Sequence, residues 1–144
     1  MEMIVKKTPG QMTVEFMAMF PVMLLIALTA MNAVLFLSDC AAFDRVFRNA
    51  VCTYAASPAY GQGPEQSSAL VQAAMEEEFA EDNLSVSVSS SGVEGGIVSF
   101  SGKLTFEPTL FGKGRLGGAF GVAFPALSHE SKLSVSAYRP GAVI

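Results

Sequence analysis

Glu15 is the residue whose type and place most call for a chemical role. It stands at the head of an apolar run that meets no further charge before Asp39, and a carboxylate at the edge of hydrocarbon needs a partner or a function. The other reactive side chains are sparse. His129 is the only histidine, so one chain cannot assemble a metalloprotease pair, a histidine-rich zinc site or a histidine relay, and it is expected in a loop or at the surface. The acids in Glu76 to Asp82, "EEEFAED", read as a solvated helix end, with a patch for a basic partner or a weak calcium site as alternatives and no EF-hand spacing behind the latter. Gly112 to Gly117, "GKGRLG", matches G-x-G-x-x-G literally, but "GAFGVAFP" follows where a dinucleotide site requires a helix. Asn83-Leu84-Ser85 fits the short glycosylation pattern and nothing more. No nucleophile–base pair and no metal cluster can be named, so a non-enzymatic protein without cofactor or metal is expected.

Cys40 and Cys52 are too few for a disulfide scaffold, although an outside compartment permits one bridge. If one helix runs through both, they lie about 18 Å apart along its axis, beyond disulfide reach. An intrachain bridge therefore needs a broken helix. Two small buried apolar residues, a contact to another subunit, and a bridge within a bent segment remain the three readings.

The elements that position these groups follow from composition and periodicity. Of the 144 residues, 51% are hydrophobic and 15% charged, too apolar for an ordinary soluble domain of this size. Phe16 to Leu37 is uncharged and is interrupted only by Pro21, Thr29 and Asn32; as a helix it spans about 33 Å, enough to cross a hydrocarbon core of about 30 Å once. Lys6 and Lys7 precede the run, and Asp39 and Asp44 follow it before Arg45, which keeps the N-terminus cytoplasmic by the positive-inside tendency. Residues 38–144 then lie outside, with 11 acids against 7 bases and no basic stripe for nucleic acid.

Beyond the span, Phe43, Val46, Phe47, Ala50, Val51 and Tyr54 form an amphipathic stripe, so a single helix over roughly 11–56 is expected. "SPAYGQGP" ends it. A second helix should begin at Pro64 with Glu65 in its first turn, bury Leu70, Ala73, Ala74 and Phe79, and end near Asp82 or Asn83. "LSVSVSS", "IVSFSGKLTF" and "SKLSVSAY" alternate with period two, turning Leu84, Val86, Val88, Phe100, Leu104, Phe106, Leu133, Val135 and Ala137 inward. Gly102 marks a bulge or bend, and "FGKGRLGGAFG" reads as a flexible connector. The fold class is α+β: a long N-terminal membrane-spanning helix extended outward, a second helix, and a small antiparallel sheet of three or four strands.

An ordinary secretory signal is disfavoured because the apolar core is too long, and a lipoprotein signal because Asp39 precedes Cys40. The segment "GQMTVEFMAMFPVMLLIAL" instead resembles the N-terminus of TadE-like pseudopilins of the tight-adherence (Flp) pilus system. Gly10, Gln11, Val14, Glu15, Phe16 and Pro21 match that pattern in register. "CAAFDRVFRNAVCTYAAS" is similar to that family's alanine- and arginine-bearing helix, and "GKLTFEPTLF" to its strand followed by proline. The acidic-aromatic-glycine-arginine element at the end of the family's span is missing apart from Asp39.

The resemblance implies cleavage by a prepilin peptidase between Gly10 and Gln11, which makes Glu15 the fifth residue of the mature chain. It implies Glu15, Phe16 and Pro21 as assembly residues, and other pilins or pseudopilins and an inner-membrane assembly platform as partners. The new amine on Gln11 would lie one turn from Glu15, where a low dielectric strengthens their pairing within or between chains. The expected organisation is a leader over 1–10, a filament-core helix over 11–37, its exported extension over 38–56 and an exported α+β domain over 57–144. The expected location is the plasma (inner) membrane as a single pass, or an extracellular pilus. Length favours a minor pilin over a major one. The alternative is a single-span anchor for an extracellular binding domain outside any filament.

Overall fold

The computed structural model describes residues 9–56 and 58–136. Helix α1 runs unbroken over Pro9–Tyr54, 46 residues or about 69 Å at 1.5 Å per residue. Proline supplies the first turn, where no amide donor is required, and the amides of Ala55 and Ala56 both return to the Val51 carbonyl at the other end. Pro21 lies inside the helix and leaves the Met17 carbonyl without its usual donor.

Helix α2, Pro64–Glu78, begins at Gly63, whose amide is capped by the Gln66 side chain. It buries Ser67, Val71 and Met75, a stripe at intervals of four, whereas Leu70 and Ala73 are exposed. Of the expected inner residues Phe79 is buried and Ala74 packs against the core, so the inner face is shifted toward Val71 and Met75 and away from Leu70 and Ala73. The helix also stops four residues early. Phe79 leaves helical geometry and turns its ring toward Phe43, 5.8 Å away, and carboxylates disfavour further turns at a helix C-terminus.

Strands β1 (Leu84–Ser90), β2 (Ile97–Phe106) and β5 (Leu127–Ser136) form an antiparallel sheet in the order β1-β2-β5. Strand β5 begins four residues before the expected segment, and Ala137 lies outside the described residues. Two short strands, β3 (Gly118–Ala119) and β4 (Val122–Ala123), pair as a separate hairpin within the segment expected to be a connector.

Period two works as the sequence demands. Val98, Phe100, Leu104 and Phe106 of β2 are buried beneath the helices, while serines, threonine and charged residues cover the opposite face, where Ser99 and Ser134 share a hydrogen bond at 2.8 Å and Ser101 donates to Glu130 at 2.7 Å. Helix α2 also guards an edge: the Gln72 side chain donates to the Val86 carbonyl and accepts from the Val88 amide, occupying backbone groups through which β1 could recruit another strand.

Gly102 is neither bulge nor bend. It pairs in register with Val88 and Ser131, and a Cβ there would meet Phe47 at 2.8 Å and Phe43 at 3.0 Å. The missing side chain lets α1 lie directly on the central strand. Around it, Phe43 stacks on Phe47 at 5.8 Å and 3°, and both rings join Ala50, Val51, Val71, Met75, Phe79, Phe100 and Leu104 in one core.

Candidate functional site

The stretch carrying the expected processing and assembly residues stands clear of this core. No residue from Gln11 to Ala27 is buried; Phe16 is 64% exposed and the side chains around the whole circumference, Met12, Val14, Met17, Met19, Phe20, Val22, Met23 and Ile26, share its exposure. A helix apolar on all sides belongs in lipid or among other apolar helices. It is the one helix among the described residues long and apolar enough to cross a membrane.

Gly10 and Gln11 occupy the exposed first turn, and nothing approaches within 4 Å of a Cβ built on Gly10. One turn on, the Gln11 side chain donates to Glu15 Oε1 at 3.3 Å. This is the side-chain pair that an i, i+4 spacing allows. Phe16 packs near Phe20, with centroids 6.1 Å apart, and Pro21 is half-buried. Gly10, Gln11, Glu15 and Phe16 are thus gathered on two adjoining turns, with Pro21 a further turn along.

The folded domain does not begin where the apolar run ends. Asn32 is 4% exposed and clamps the loop after β2: its amide nitrogen donates to the carbonyls of Leu28 and Thr109 at 2.9 and 3.0 Å, and its Oδ1 accepts from the Thr109 amide at 2.7 Å. Leu28, a turn nearer the N-terminus, is buried too. Phe36 meets Phe106 at 5.7 Å. Both amide groups of Thr109 are satisfied by one side chain, while its buried hydroxyl has no partner among the described residues. The interruption of the apolar run by Asn32 was the available signal; a partner 77 positions away was not.

The other candidate residues are dispersed. Cys40 and Cys52 are free thiols on one unbroken helix, so an intrachain bridge is excluded by geometry. Cys52 is exposed and Cys40 half-buried, which corrects the reading of both as buried. Burial, together with the carboxylates of Asp44 and Asp39, pushes the Cys40 thiol up from its ordinary value. Maleimide at neutral pH is therefore expected to label Cys52 well ahead of Cys40 in the folded chain; equal rates by peptide mass spectrometry would refute the difference in environment.

His129 lies on the helix-facing side of β5 rather than in a loop. It bonds Asp44 of α1 at 2.9 Å and meets the Phe43 ring edge-on at 6.2 Å, fastening the sheet to the helix across 85 positions. The acidic side chains Glu76, Glu77, Glu78, Glu81 and Asp82 are all exposed. Arg115 donates twice to the Asp82 carbonyl and pairs with Glu107 at 3.0 Å, so "GKGRLG" is a folded loop leading to β3, without the helix a dinucleotide site requires. Among the described residues no group of three or more His, Cys, Asp or Glu could hold a metal ion.

At the far end of the sheet, Ala55, Pro58, Gln62, Ser67, Phe100 and Val135 line part of a small cavity of about 260 Å³. These features define a small α+β domain seated on the second half of a long apolar helix. No protein-family model, curated protein or solved structure gives a significant match to the chain.

Proposed function

We propose that this chain is a TadE-like minor pilin or pseudopilin, a non-enzymatic structural subunit for assembly of a Tad/Flp-type pilus. The observation that carries the reading is the bare apolar helix of residues 11–27, with Glu15 one turn inside its start and Gln11 already beside it. A lone anchor needs an apolar surface but no carboxylate there; a subunit that packs helix against helix gains registration from a charge whose partner amine arises only on cleavage. Support also comes from the register of Gly10, Gln11, Val14, Glu15, Phe16 and Pro21 with that family's pattern.

In this reading a prepilin peptidase removes residues 1–10 on the cytoplasmic face of the inner membrane. The assembly platform then draws the helix out among other pilins, and the α+β domain remains outside. Intact-mass spectrometry of protein recovered from cells containing the peptidase tests the first step. A chain beginning at Gln11 is expected; a chain still beginning at Met1 would falsify the proposal. The cavity lined by Phe100 and Val135 favours the second reading, a single-span anchor presenting a binding domain outside any filament.

A further inference from the structure

Two Phe-Gly turns project from the loop between β2 and β5. Leu110 and Lys113 exchange backbone hydrogen bonds across Phe111-Gly112, and Ala119 pairs with Val122 across Phe120-Gly121. In each turn both central residues have positive φ, +52° and +77° in the first, +51° and +80° in the second. Such turns ordinarily take Asn, Asp or Gly at their first central position, because the left-handed region costs another residue about 1–2 kcal/mol. Yet neither ring enters the core: Phe111 is 64% and Phe120 61% exposed, with Leu110 and Val122 exposed beside them. Strain held twice for two outward rings marks a surface with a use.

The position of the loop tells what the rings meet. Contacts descend α1 in order: Phe43 and Phe47 lie on Gly102, Phe36 on Phe106, and Asn32 holds Thr109. Phe111 lies two residues beyond Thr109 in the chain, and the Leu116 amide bonded to the Pro108 carbonyl starts the second turn's hairpin from the same level. If Leu37 marks the edge of the hydrocarbon, Asn32 lies about 7–8 Å below it at 1.5 Å per residue, within the 5–10 Å to which interfacial apolar elements sink, and the buried Leu28 lies about 13–14 Å below it. The backbone suits that depth as well. Thr109 is bonded to Asn32, Leu110 and Lys113 to each other, Leu116 to Pro108 and Phe124 to Gly117, so these backbone groups do not depend on water. Lys113, at the base of the first turn, is the side chain suited to reach lipid phosphate.

We infer that the two Phe-Gly turns dip into the bilayer interface beside α1 and seat the domain on the lipid surface as a second anchor. This inference rests on the reading of α1 as a membrane span. The chain has no tryptophan, so single Phe111→Trp and Phe120→Trp variants of the full chain, reconstituted in phosphatidylethanolamine–phosphatidylglycerol vesicles, report depth directly. Phe20→Trp on the bare helix and Tyr60→Trp, a fully exposed position at the other end of the domain, are the references.

Both turn variants should emit to the blue of Tyr60→Trp and be quenched several-fold more by lipid brominated near the headgroup than by aqueous iodide. Iodide quenching equal to that of Tyr60→Trp, while Phe20→Trp is quenched by brominated lipid, overturns the second anchor and leaves the span standing. Loss of lipid quenching at Phe20→Trp as well overturns both readings. Shielding from both quenchers that grows with the protein-to-lipid ratio overturns the inference in favour of contact with a second copy.

Discussion

A chain carrying Glu15→Ala should insert and fold as the parent does and lose almost all co-assembly with its neighbours. Glu15 is exposed, and its hydrogen bond within the chain comes from Gln11 one turn away, so removing it disturbs no core contact. Without the carboxylate, insertion of that turn becomes easier. If the proposed pairing with a neighbour's amine operates, truncating one member of a desolvated charge pair costs about 2–5 kcal/mol, at least about thirtyfold in an association constant. Crosslinking followed by co-isolation, at matched membrane levels of parent and variant, measures the loss. Glu15→Asp keeps the charge on a shorter arm and should recover part of it. Unchanged co-isolation of Glu15→Ala would leave a simple anchor as the better description.

Phe43→Ala is expected to carry the largest stability effect, about 3–5 kcal/mol as for other buried phenylalanines. Its fully buried ring touches Phe47, Phe79 and His129 and lies over the bare backbone of Gly102, so its loss opens a void where both helices and the central strand meet. Gly102→Val attacks the same junction from the other side: the new side chain overlaps Phe47 and Phe43, which are held by their own packing, and overpacking of this kind costs about 1–3 kcal/mol. The two sites share a contact, so Phe43→Ala combined with Gly102→Ala should destabilise by less than the sum of the single changes. Denaturant unfolding of the full chain in detergent, followed by near-ultraviolet circular dichroism, gives each value. A loss below about 1 kcal/mol for Phe43→Ala would mean that the junction is not the keystone its packing indicates.

The sequence made the elements legible where a local rule dominates. Alternating serines fixed which faces of β1, β2 and β5 turn inward, Pro64 marked the start of α2, and the spacing from Phe43 to Val51 marked the face of α1 that the core covers. Tertiary context decided the rest. The inner face of α2 follows Val71 and Met75 because those side chains meet the core, although Leu70 is as apolar. Gly102 has the signature of a bulge, and only the approach of two rings from α1 explains it otherwise. The bonds from Asn32 to Thr109 and from His129 to Asp44 join positions whose separation no periodicity encodes. Phe111-Gly112 and Phe120-Gly121 are visible as repeated dipeptides, but their positive φ values appear only in three dimensions.

The unbroken course of α1 has a mechanical consequence. The domain rides on the helix itself instead of hanging from a linker, and the contacts at Phe47, Phe36 and Asn32 hold about four turns of it. Rotation of the helix therefore turns the serine-rich sheet face through the same angle, and axial tension reaches the sheet without first taking up slack. If α1 spans a membrane in one orientation, as proposed, molecules in that membrane share a common polar axis, and two that meet have only position in the plane and azimuth left to fix. That reduces the orientational entropy lost on association below what freely tumbling partners would lose.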